Sequence, residues 1–200
     1  METPFVFQGA SLGATLGRKK ANMSQNQRIS FEKASGIAST LRARILQDCS
    51  LSYGKDFRIC GSIRRNASDC GDIDIAVTRE AFDANEMVFR NLLDSYQDTA
   101  KGRLCQGQFQ DMKVEFYVGP AAGFGTLTMF CTGNPRFNVR CRLEAKRKGW
   151  AMNQYGLWLG DTKSGEMVCD CVEELSILKA LGMEEFLDPL ARSVDGYYAH

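Results

Sequence analysis

Residues 60–77 read CGSIRRNASDCGDIDIAV, and the acidic pair inside them, Asp72 and Asp74, decides how the chain is read. Alternate residues of a β-strand share a face, so Asp72 and Asp74 point one way while Ile73, Ile75 and Val77 point the other, into a core. Two carboxylates on one face repel each other unless a cation joins them. Hard cations take oxygen ligands, and Mg²⁺ is commonly held by one or two carboxylates together with substrate phosphates. A bare pair of this kind also occurs on solvent-facing strands, where the acids only keep an edge soluble. The residues upstream favour the ligand reading. Gly61 and Ser62 follow the strand-like FRI and offer an open backbone with a hydroxyl donor, Arg64 and Arg65 bring two guanidinium forks suited to phosphate, and Gly71 lets a phosphate approach the main chain closely.

Outward from that stretch, 200 residues with 44% hydrophobic composition suffice for one ordinary domain or two small ones with a buried core. No window approaches the roughly 18 apolar residues of a membrane span. The N-terminus lacks the basic start, apolar run and cleavage site of a signal peptide, so an intracellular, unsecreted protein without a membrane partner is expected. The eight cysteines are scattered at 49, 60, 70, 105, 131, 141, 169 and 171, a spacing that gives no disulfide framework, and reduced thiols are expected. With a lone histidine at His200, a structural zinc site would need four cysteines gathered by the fold.

Residues 1–27, which carry Arg18, Lys19 and Lys20, read as a loose tail, with contact to DNA as the alternative. Folded structure is expected to begin near Arg28. Phe31, Ile37, Ala38, Leu41, Ile45 and Leu46 predict a helix, strands follow near Phe57 to Cys60 and Asp72 to Thr78, and a second helix covers Glu86 to Tyr96. Strands over 103–109 and 113–118 precede GPAAGFG, which sets a boundary between a first domain, 28–120, and a second, 121–200. In the second, AGFGTLTMF and PRFNVRCRLEAKRK read as helices, MNQYGLWLG as a short strand with a turn, and CVEELSILKALG as a helix closed by Gly182. Formal charge is only +1, so a nucleic-acid partner needs a local patch. Arg136, Arg140, Arg142, Lys146, Arg147 and Lys148 supply one against a single acid, Glu144; a merely solvated helix face is the alternative.

GSIRRNASDCGDIDIAVT resembles the palm motif of the family X DNA polymerases, within the nucleotidyltransferase superfamily: GS, then RR, then GD-x-D. That family places a third carboxylate, an Asp, on a later strand five residues before a proline; in VEFYVGP the position is Glu115. Asp111 shares its parity but lies roughly 13 Å along the strand, too far to share the site. An exposed strand acid is the alternative reading of Glu115. Further on, FCTGNPRFNVRCRLEAKRKGWAMNQYGLW resembles the family's thumb signature. Helical spacing agrees, since Asn138 and Arg142 are i,i+4 neighbours while Phe137, Cys141 and Ala145 form an apolar stripe.

The resemblance covers about residues 28–190 and implies an α+β fold, a nucleotidyltransferase palm of mixed sheet flanked by helices followed by a small α+β thumb. It implies a DNA-directed DNA polymerase that adds dNTPs to a primer 3′ end in primer-template or gapped DNA, with two Mg²⁺ ions, or Mn²⁺ in their place. Asp72, Asp74 and Glu115 would be the catalytic metal ligands, with Gly61, Ser62, Arg65 and Gly71 on the triphosphate. Arg28, in RISFEK, would add a phosphate contact, or stand as an ordinary arginine at a helix start. Phe130, Thr132 and Gly133 would meet the sugar, Asn138 the incoming base and Arg142 the template strand. Arg136, Arg140, Lys146, Arg147 and Lys148 would hold phosphates without reading sequence. The sequence departs from the family at Glu115, where Asp is usual, and at Cys131, where an aromatic is usual. It resembles the small viral members built from palm and thumb alone, and short-gap repair synthesis is the role implied. A terminal-transferase-like enzyme on the same palm, or a DNA-binding relative that has lost catalysis, are the alternatives.

Overall fold

In the computed structural model, which describes residues 28–98, 104–162 and 165–193, the chain enters through β1 (Ile29–Ser30). The Ser30 hydroxyl accepts a hydrogen bond from the Lys33 amide at 3.5 Å and so starts α1 (Phe31–Asp48). Ala34, Ala38, Leu41 and Ile45 recur at helical spacing and are buried against the sheet that follows. The tail expected over 1–27 lies outside the described residues.

Next come β2 (Phe57–Ile59), a single helical turn α2 (Gly61–Arg64), β3 (Asp69–Cys70) and β4 (Asp72–Thr78). Helix α3 (Arg79–Leu92) and strands β5 (Ser95–Asp98), β6 (Leu104–Phe109) and β7 (Met112–Gly119) complete the first half. The main sheet has the order β2-β4-β7-β6-β5, with β4 and β7 parallel and the other pairs antiparallel, while β1 pairs with β3. As the alternation predicts, Ile73, Ile75 and Val77 are buried on one face with Val114, Phe116 and Val118 of β7, under α1 and α3. Phe82 and Phe89 of α3 meet Phe116 there, Phe89 at 5.0 Å between ring centroids.

The opposite face is only half covered. Phe124, Leu127 and Cys131 of α4 (Phe124–Thr132) pack on Ala76 and Cys60. This lid lies over the C-terminal half of β4 and leaves the N-terminal half, with Asp72 and Asp74, half-buried at the surface. Beyond it, Asn134 caps α5 (Pro135–Arg147) by accepting from the Phe137 amide at 3.0 Å, with Pro135 at the first helical position. The hairpin β8 (Trp150–Asn153) and β9 (Gly156–Leu159) and helix α6 (Glu174–Leu181) close a second core. Phe137, Cys141 and Ala145 form the expected stripe into it, against Leu157, Ile177, Leu178 and Phe186. Gly182, left-handed at φ 73°, ends α6 as expected.

Several expectations are corrected. The second helix starts at Arg79 rather than Glu86, because the Thr78 side chain accepts from the Ala81 amide and caps it there. It ends at Leu92, and Tyr96 belongs to β5, an edge strand held by its ladder to β6. The segment after Pro120 opens as a 3-10 turn, Ala121–Gly123, before α4. MNQYGLWLG is two paired strands rather than one, and the open backbone expected at Gly61 and Ser62 is wound into α2. All eight cysteines are free thiols, seven of them buried.

Candidate active site

Parallel pairing of β4 with β7 sets Asp74 opposite Glu115 and Asp72 opposite Lys113. Asp72, Asp74 and Glu115 thereby converge: one carboxylate oxygen from each lies within 4.8 Å of the others, and all three residues are half-buried. This is the one group of three or more potential metal ligands among the described residues. Burial, then the neighbouring charges of Asp72 and Glu115, push the Asp74 carboxyl up to about 7. Burial and Glu115 also raise Asp72. Three carboxylates converging through one oxygen each, under mutual repulsion, are the kind of donor set a hard divalent cation takes. Asp111 sits instead in the β6–β7 turn, left-handed at φ 66°.

Two residues that reading the sequence passed over complete the cluster. Lys113 Nζ donates to Glu115 Oε1, and Tyr117 Oη donates to Glu115 Oε2 at 2.6 Å. Both share Glu115's face of β7 by the same parity rule that paired the aspartates, so KVEFY carried the signal.

The Gly-Ser turn is fitted to the carboxylates. Gly61 has φ 61°, and a Cβ there would stand 1.9 Å from Asp74 Oδ2, so only glycine lets α2 approach β4 this closely. Ser62 Oγ, on the residue after Gly61, is buried with no hydrogen-bond partner among the described residues. Gly71, half-buried, leads into β4. The two arginines divide. Arg65 stays near the carboxylates, where burial lowers its pKa and the charge of Asp74 opposes that, and it donates to the Thr132 carbonyl. Arg64 turns away to Thr132 Oγ1 and Glu174 Oε1, each at 2.9 Å. Arg28 is engaged by Asp69, its Nε 2.8 Å from Oδ1 and its Nη2 2.9 Å from the Asp69 carbonyl.

Glu174 was missed by the sequence reading, as was Arg192. Glu174 is only 4% exposed and receives Arg64 from the first core, Arg192 at 3.1 Å from the second, and Arg58 at 3.6 Å. Burial opposes its ionisation, but the hydrogen bond from Arg64 and the charge of Arg192 hold its carboxyl below the usual range. Partners 110 and 18 residues away leave no local pattern to read.

On α4, Phe130 is half-buried, and its carbonyl accepts from Asn138 Nδ2 at 2.8 Å. The exposed Arg142 guanidinium lies 5.8 Å from the Phe130 ring centre. Thr132 and Gly133 are buried, and Thr132 spends both oxygens on the arginine pair. Arg136, Lys146, Arg147 and Lys148 are exposed, Arg147 against Glu144 at 2.8 Å; Arg140 lies over Phe186 and Lys148 over Trp150.

Comparison with known proteins gives the family. Residues 32–121 match the DNA polymerase beta palm and residues 127–193 the DNA polymerase beta thumb. DNA polymerase lambda of Rattus norvegicus is 27% identical over 118 residues, which are 49% of this chain and 21% of that protein. The chain thus spans about a fifth of that relative's length. Two crystal structures of Leishmania infantum polymerase beta, a ternary P/T complex and a ternary gap complex, align over 84% of this chain with TM-scores of 0.63 and 0.64 at 20% identity. They cover 78% and 72% of those chains and share the fold. Matched in both halves, palm and thumb in that order, the chain belongs to the family X DNA polymerases.

Proposed function

We propose that the protein is a template-directed DNA polymerase that joins a dNTP to a primer 3′ end and works in short gaps. The observation that carries this reading is the convergence of Asp72, Asp74 and Glu115, with Gly61 set against Asp74. In the reaction the primer 3′ oxygen attacks the α-phosphorus, the bond to the bridging oxygen breaks, and pyrophosphate leaves. Two Mg²⁺ ions, or Mn²⁺, held by the three carboxylates would acidify the 3′ hydroxyl and neutralise charge on the phosphates. The protein's own groups bind and orient. Ser62 Oγ, Arg65 and the backbone at Gly61 and Gly71 take the β and γ phosphates, and Arg28 exchanges Asp69 for the triphosphate. Phe130 flanks the sugar, with Thr132 and Gly133 shaping the turn behind it. Asn138 meets the base and Arg142 the template strand. Arg136, Arg140, Lys146, Arg147 and Lys148 hold the duplex phosphates.

Positioning and charge stabilisation then supply the rate, without a covalent intermediate on the enzyme. The test is a primer facing a one-nucleotide gap, given Mg²⁺ and each dNTP separately, with Asp72→Ala beside the wild type. Extension only by the complementary nucleotide, lost in D72A, is expected. Extension by every nucleotide would make the enzyme a terminal transferase, and DNA binding without extension in Mg²⁺ or Mn²⁺ would overturn the catalytic reading.

A further inference from the structure

Glutamate at 115 is one methylene longer than aspartate, and a side chain of that length has more rotamers to choose among than the two aspartates beside it. Yet both of its oxygens are spoken for. Lys113 Nζ donates to Oε1 and Tyr117 Oη to Oε2. The three residues stand at alternate positions of β7, so they share the face of the cluster while Val114, Phe116 and Val118 anchor the strand in the core behind. A phenol has a fixed reach. Its ring is set edge-on against Phe130, with centroids 6.3 Å apart and planes at 73°, and the Phe130 carbonyl is in turn held by Asn138.

We propose that Tyr117 is a positioning residue for Glu115: its hydroxyl pins the longer carboxylate where it can join Asp72 and Asp74 on a shared divalent cation. The inference rests on the ligand role given to Glu115 above. Hydrogen-bond partners behind a metal ligand fix its orientation, and their loss typically weakens metal binding by about 10- to 100-fold.

Mn²⁺ binding to the full chain, followed by the EPR signal of the free ion, tests this without relying on turnover. Tyr117→Phe is expected to weaken binding about tenfold in the wild-type background. In the Glu115→Asp background, where the shorter side chain no longer reaches the hydroxyl, the same change is expected to cost clearly less than in the wild type, leaving only the Tyr117 hydrogen bond to Asp74 to lose. Glu115→Ala gives the same comparison should the aspartate variant fold poorly by circular dichroism. Equal losses in every background, or no loss in any, would overturn the positioning role. The two readings fail separately. Wild-type Mn²⁺ binding with the expected Y117F loss but no primer extension would sink only the polymerase, whereas templated extension with unchanged Mn²⁺ affinity in Y117F would sink only the positioning role.

Discussion

Asp74 sits at the point of greatest electrostatic stress. Its carboxyl is held at about 7 by burial and by the charges of Asp72 and Glu115, against about 3.9 in an unfolded chain. Between those values the unfolded state has lost its proton and the folded state has kept it. Metal-free stability therefore falls as pH rises from about 4 to about 7 and stays lower above that. Asp74→Asn removes this contribution. It should raise the melting temperature in EDTA at pH 8 on the order of 5 °C while leaving that at pH 4 nearly unchanged. Thermal melts across that range check it, and an undiminished slope in D74N would contradict it. At this scale the sequence was highly legible. A parity argument found Asp72 and Asp74, and the resemblance to family X, which sets a carboxylate five residues before a proline, pointed to Glu115. Lys113 and Tyr117 obey the same parity but were passed over, because a lysine and a tyrosine on a strand ordinarily need no explanation.

Among the elements, α6 depends on one buried charge. Glu174 accepts from Arg64 and Arg192, which belong to the two halves of the molecule, so removing it leaves one buried and one half-buried guanidinium group unbalanced. Glu174→Ala should destabilise the protein by about 3–5 kcal/mol, whereas the exposed neighbour Glu173→Ala should change stability by less than about 0.5 kcal/mol. Urea denaturation of the two variants decides it; similar midpoints would contradict this dependence on Glu174. Helices α1 and α5 were legible because their buried residues keep helical spacing within a single element. The start of α3 was not, since Asp83, Ala84 and Asn85 break the apolar pattern and the Thr78 cap shows only in three dimensions. Strand β5, SYQD, lacks apolar alternation and exists because β6 pairs with it.

Across the whole molecule, a net charge of +1 conceals a polar arrangement: a carboxylate cluster on the open half of the sheet and a cationic face along α5. The order of palm and thumb was legible from motifs spread along the chain. That α4 packs on both cores, and that Gly61 must be glycine because Asp74 lies against it, was not, since both depend on long-range contacts. The central claim is that chemistry occurs at these carboxylates. Its most direct test is the single-turnover rate of nucleotide addition in Mg²⁺ by wild type and D74N at saturating gapped DNA, with DNA affinity measured in parallel. A rate loss of at least about 1,000-fold, roughly 4 kcal/mol of transition-state stabilisation, is expected, with DNA affinity changed less than about threefold. Nucleotide addition by D74N within about tenfold of wild type would contradict it.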